Sequence, residues 1–134
     1  MAKRTECYVD TSGLIAFLDR SDSHHALFRR LFSDPPQLVT SALVVAEGHG
    51  WFLRRYDPHR AIQFLAFLDA VPALRVVSFD PVAITDTNAV VKKFADQRLT
   101  LADAHGLAIM RKQRIASCWS TDRHLALGGA SLPT

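Results

Sequence analysis

Apolar positions along the chain fall into short runs that alternate with longer amphipathic stretches. Cys7-Tyr8-Val9 reads as a brief strand ending at Asp10. Ser12 to Asp19 then reads as a helix that Asp10, Thr11 or Ser12 can cap. A second helix spans Ser23 to Phe32, with Ala26, Leu27, Leu31 and Phe32 as its apolar stripe, and Asp34-Pro35-Pro36 stops it. Gln37 to Thr40 reads as a strand and Ser41 to Tyr56 as a long helix. Asp57-Pro58 opens another helix to Ala70, with Ile62, Leu65 and Leu68 expected inward. Arg75 to Phe79 is strand-like, and Asp80-Pro81 starts a helix running to about Ala95. A last helix covers Thr100 to about Arg111. The strand Ile115 to Ser120 follows, then the turn Thr121-Asp122-Arg123-His124 and a short, loose Gly-rich tail. This alternation predicts an α/β domain with a mostly parallel sheet, in which ligands sit at the carboxyl ends of the strands.

The 134 residues fit a single domain, and 49% hydrophobic content against 22% charged suffices for a packed core. No apolar run is long enough to span a bilayer and no signal-peptide core follows the first residues, so a soluble cytoplasmic protein with no membrane partner is expected. Cys7 and Cys118 lie in strand-like runs without metal-ligand spacing and read as buried thiols. The net charge of +3 permits a polyanionic partner. Twelve of the sixteen basic residues are Arg, whose planar fork suits phosphate oxygens.

Four acids stand out by position. Asp10 directly follows the first strand and Asp122 the last, which places both at one edge of a parallel sheet. Each also has a capping explanation. Glu47 stands between Leu43 and Trp51 at i−4 and i+4, so it is expected to project from an apolar helix face. A core Arg partner is the alternative. Gly48 and Gly50 beside it leave room for a close approach. Asp103 has capping-box spacing from Thr100, yet shares a helix face with Leu107 and Met110. Four acids on one sheet edge repel unless a divalent cation joins them, and oxygen ligands suit Mg²⁺ or Mn²⁺. The six histidines show no ligand spacing, although His105 and His124 lie close to Asp103 and Asp122.

The segments Tyr8-Val9-Asp10-Thr11-Ser12, Ser41 to Glu47, Leu99 to Ala104 and Ser120 to His124 together resemble PIN-domain nucleases, and among them VapC toxins of VapBC toxin–antitoxin pairs. The resemblance spans about residues 7–128. It implies a three-layer α/β/α sandwich with a mostly parallel central sheet of four to five strands. The implied activity is a Mg²⁺- or Mn²⁺-dependent endoribonuclease, usually homodimeric and silenced by a cognate antitoxin. Asp10, Glu47, Asp103 and Asp122 correspond to the acidic quartet that holds the metal. Thr121, or alternatively Ser120, corresponds to the hydroxyl beside the last acid. Arg123 and Arg98 are further candidates for the RNA backbone. Competing readings are an RNA-processing nuclease without antitoxin and an RNA-binding module without catalysis. A receiver-type phosphoacceptor or an Asp-x-Asp phosphatase needs a second acid where Thr11-Ser12 stand.

Overall fold

A computed structural model of the chain describes residues 5–133. Strand β1 (Glu6–Val9) leads into helix α1 (Thr11–Leu18), which is followed by α2 (His25–Leu31). Strand β2 (Gln37–Ser41) continues into α3 (Ala42–Arg55), with Ser41 as N-cap: its Oγ accepts from the Leu43 amide at 2.9 Å. Helix α4 (Pro58–Ala70), strand β3 (Leu74–Val77) and helix α5 (Pro81–Lys93) follow. A 3₁₀ turn at Ala95–Gln97 precedes α6 (Leu101–Gln113), and strand β4 (Cys118–Trp119) precedes a second 3₁₀ turn at Arg123–Ala126. Asp57 and Asp80 cap α4 and α5 with Pro at the first helical position, as their Asp-Pro pairs predict.

The four strands form one parallel sheet in the order β3-β2-β1-β4. Alternation along each strand divides the core. Cys7, Val9, Leu38 and Trp119 face one side and pack with residues of α1 to α4, including Leu14, Phe28, Phe52 and Phe64. Tyr8, Val39 and Cys118 face the other and pack against Val90 of α5 and Ala104, Leu107 and Ala108 of α6. The result is the expected three-layer α/β/α sandwich, with the ends of β1 and β4 side by side. No helix among the described residues is long and apolar enough to cross a membrane.

The faces of α4 and α2 differ in part from the pattern-based reading. In α4 the buried residues are Ala61, Phe64 and Leu68, while Ile62 is 62% exposed and Leu65 also lies at the surface. In α2 only Phe28 is fully buried, and Ala26 is exposed. Both helices bury an aromatic ring; in α4 Ile62 and Leu65 are turned outward, whereas Leu27, Leu31 and Phe32 of the expected α2 stripe are partly buried and pack against the core. Strand β4 keeps two residues of the expected six, because it lies at a sheet edge. The tail nonetheless reaches it: Ser117 and Ser131 form a parallel bridge.

Candidate active site

Asp10 occupies the N-cap position of α1 with extended backbone (φ −91°, ψ 166°), but its side chain makes no cap bond. The carboxylate is instead held across the sheet edge. Its Oδ2 accepts from Ser12 Oγ at 3.1 Å and from Ser120 Oγ at 3.0 Å. The other oxygen, Oδ1, is buried and has no hydrogen-bond partner among the described residues. The backbone fixes this placement, since the Asp10 amide donates to the Trp119 carbonyl at 3.1 Å and joins the end of β1 to the end of β4.

Asp103 reconciles its two sequence readings. It completes a capping box with Thr100: its amide donates to Thr100 Oγ1 at 3.1 Å, and its Oδ2 accepts from the Thr100 amide at 3.2 Å. It is also only 7% exposed, because α6 is buried continuously from Ala102 to Met110. Asp122 caps the second 3₁₀ turn, its Oδ1 accepting from the His124 amide at 2.9 Å, and His124 Nδ1 lies 3.1 Å from the same oxygen. Asp103, Asp122 and His124 each offer a ligand atom, and those atoms all lie within 4.8 Å of one another.

These acids are poorly compensated. Burial pushes the Asp10 carboxyl up to about 6, and the charge of Asp103 adds to the rise; the Thr11 amide and the hydroxyls of Ser120 and Ser12 oppose it. Asp103 is likewise raised, first by burial and then by Asp122, against the Thr100 cap and His124. Among the described residues no Lys or Arg lies within 4 Å of Asp10, Asp103 or Asp122. Asp10 stands outside the Asp103–Asp122–His124 group, although the charge of Asp103 reaches it. A buried carboxylate oxygen without a donor among the described residues, and two acids that converge with a histidine, fit a divalent cation that accepts oxygen ligands.

Other expected site residues lie differently. Glu47 is exposed on α3 rather than buried on an apolar face. The inward stripe of α3 is Val44, Gly48 and Phe52, one residue further round the helix than Leu43, Glu47 and Trp51. It has no ion pair with a core Arg among the described residues, and it stands outside the Asp103–Asp122–His124 group. The close approach at Gly48 is made by Phe64, whose ring would lie 2.3 Å from an added Cβ. Arg98 and Arg123 are exposed, and Arg98 adopts a left-handed conformation (φ 54°). His105 turns away from the acids. Its Nδ1 meets Ser41 Oγ, and burial holds the ring below the ordinary histidine pKa, so it serves as a neutral link between α6 and α3.

The sequence profile of the PIN domain matches residues 7–127. The chain belongs to the PIN domain family. Ribonuclease VapC26 of Mycobacterium tuberculosis is 28% identical over 116 residues, covering 86% of this chain and 85% of that protein. Two solved structures share the architecture of this PIN domain. VapC20 of M. tuberculosis, described as a sarcin-ricin loop cleaving toxin, superposes with a TM-score of 0.84 at 24% identity, over 93% of this chain and 96% of that one. VapBC2 from Rickettsia felis, bound to a DNA fragment from its promoter, gives 0.64 at 11% identity, over 96% and 98%.

Within this PIN domain the hydroxyl that links the acids belongs to Ser120. Its Oγ donates to Asp10 and accepts from the Asp122 amide at 2.9 Å. Thr121, the residue favoured by the sequence pattern, is exposed and contributes its backbone amide, which donates to Ser12 Oγ at 3.0 Å. Ser12 Oγ also lies 3.0 Å from Ser120 Oγ. Ser12 stands two residues after Asp10 and Ser120 two before Asp122, a symmetry that the sequence displayed without marking as chemistry.

Proposed function

We propose that this PIN domain is a divalent-cation-dependent endoribonuclease that hydrolyses phosphodiester bonds in RNA loops, and that it is the toxin of a VapBC-type pair. One observation carries the reading: Asp103 and Asp122 converge, and Asp10, whose carboxyl the charge of Asp103 raises, is buried with an unpaired carboxylate oxygen and no Lys or Arg partner among the described residues. The 28% identity to a protein named as a ribonuclease, over most of both chains, supports it.

Asp10, Asp103 and Asp122 would hold Mg²⁺ or Mn²⁺, and Glu47, exposed on α3, would be the fourth acid of the set. When bound, the cation neutralises phosphate charge and makes hydroxide available near neutral pH. Ser120 and Ser12 orient Asp10 through Oδ2, leaving Oδ1 for the ligand. Thr121 stands at the rim, where its hydroxyl is free for substrate. Arg123 and Arg98 carry exposed guanidinium groups suited to the RNA backbone. Attack of water on phosphorus, with the P–O3′ bond breaking and the 3′-oxygen leaving with a proton, would give a 5′-phosphate and a 3′-hydroxyl. Loops are the favoured substrates because their bases can be splayed out. A VapB-like antitoxin covering the acids, and a homodimer, complete the proposal; one structural neighbour is itself described as a toxin-antitoxin complex from Klebsiella pneumoniae.

The test is incubation of ribosomal RNA with wild type and Asp10→Asn, each with Mg²⁺, Mn²⁺ or EDTA, followed by mapping of new 5′ ends. Discrete, cation-dependent ends from wild type alone are expected. Intact RNA under every condition, or equal cleavage by Asp10→Asn, refutes the nuclease reading.

A further inference from the structure

The ligand set at the sheet edge contains a nitrogen. We propose that His124 is a direct ligand of the cation held by Asp103 and Asp122, and that it biases the site toward Mn²⁺ over Mg²⁺. The inference rests on the cation-dependent reading above and names a residue that the acidic pattern does not include.

Geometry comes first. A ligand atom of His124 lies within 4.8 Å of one from each of Asp103 and Asp122, a spacing that one ion can bridge. The imidazole is held near its place. The 3₁₀ turn ties the His124 amide to Asp122 Oδ1 at 2.9 Å, and Nδ1 lies 3.1 Å from the same oxygen. No other partner engages the ring among the described residues, and its side chain keeps 38% of its surface open. Asp122 Oδ1 is thereby occupied by His124, while its second oxygen accepts no hydrogen bond among the described residues. An independent observation points to a ligand at this edge: Asp10, coupled in charge to Asp103, has a buried Oδ1 with no donor among the described residues.

Chemistry gives the selectivity. Mg²⁺ demands near-octahedral oxygen coordination and dehydrates reluctantly, so an imidazole adds little to its binding. Mn²⁺ stands at the start of the transition series and accepts imidazole nitrogen alongside carboxylate oxygen. A carboxylate–carboxylate–imidazole set thus favours Mn²⁺ more than four carboxylates would.

Pulsed electron paramagnetic resonance on the Mn²⁺-loaded protein reads nitrogen coordination directly, and calorimetry supplies affinities. Wild type should show ¹⁴N modulation from one imidazole. His124→Gln should keep its melting temperature and still bind Mn²⁺, without the ¹⁴N signal. Its Mn²⁺ Kd should rise by about tenfold, the scale of a lost contact at a metal site, while the Mg²⁺ Kd changes by less than about twofold. Asp103→Asn, as the control, should lose binding of both ions. Mn²⁺ bound to wild type without ¹⁴N modulation overturns the role of His124 and leaves the carboxylate site intact. A ¹⁴N signal that persists in His124→Gln overturns it too, because another histidine is then the source. Wild type that binds neither ion overturns the cation-dependent reading itself.

Discussion

Asp10 concentrates the conflict between stability and function in a single carboxylate. Its folded-state pKa of about 6 lies above the ordinary value of 3.8, so the native state holds the proton more tightly than the unfolded chain. Below pH 3.8 both states are protonated and the group costs nothing. As the pH rises from about 4 to about 6 the unfolded chain ionises first and stability falls. Above about 6 the cost is complete, on the order of 2–3 kcal/mol for a shift of roughly two units. Asp10→Asn removes that cost. In cation-free buffer at pH 7 the variant should therefore melt higher than wild type, by an amount equivalent to about 1–3 kcal/mol, and the gap should close by about pH 4. Thermal denaturation at the two pH values checks both the size and the sign. The serine beside it behaves oppositely. Ser120→Ala deprives Asp10 of a donor and the Asp122 amide of an acceptor, and should destabilise by about 1–3 kcal/mol while lowering cleavage. Thr121→Ala, which alters only an exposed side chain, should stay within about 0.5 kcal/mol of wild type. Paired melts and cleavage assays of the two variants determine which hydroxyl supports the acids.

At the scale of elements, the site depends on how closely α1 sits on the end of β4. A Cβ at Gly13 would lie 2.5 Å from the Trp119 carbonyl oxygen and 3.0 Å from the Phe28 ring. The carbonyl is backbone and cannot swing aside. Gly13→Ala should therefore shift α1, cost about 1–3 kcal/mol and reduce cleavage by separating Asp10 from Ser120. Gly50 offers the contrast within α3. An added Cβ meets only the Arg54 guanidinium at 2.9 Å, the far end of a flexible side chain, so Gly50→Ala should stabilise by about 0.5–1 kcal/mol. Urea denaturation of both variants separates them by sign. These elements also mark where the sequence was legible. Strand, helix and cap positions followed from apolar runs and Asp-Pro pairs, because those signals are local. Asp103 was readable both as a cap and as a core-facing acid, and it is both. The face of α3 was not readable: Leu43 and Trp51 suggested one stripe, but the large ring of Phe64 packs onto Gly48 and rotates Glu47 outward. Nor did spacing distinguish Ser120 from Thr121, since the choice depends on where β4 ends and how the chain turns toward Asp10.

For the whole molecule, a net charge of +3 coexists with acids at one sheet edge that have no Lys or Arg partner among the described residues, so the folded chain carries local repulsion there. Cations elsewhere do not relieve it. Arg111 and Lys112 project from the far end of α6, and Arg20 and Arg29 line a separate concavity with Phe17 and His25. Binding of a divalent ion should therefore appear as stability of the entire fold. At a free ion concentration of 100 times Kd the gain is about 2.7 kcal/mol, and EDTA should return the melting temperature to its starting value. The gain must depend on pH in a definite direction. At pH 7 Asp10 is ionised and ready to bind, whereas at pH 5 its proton competes with the ion. The rise in melting temperature with Mn²⁺ should thus be larger at pH 7 than at pH 5, opposite to the trend of the cation-free protein, which gains stability on acidification through the same group. Melting curves at the two pH values, with and without Mn²⁺, place both trends in one experiment. An ion-induced shift that is equal at both pH values would mean that the bound cation does not depend on Asp10.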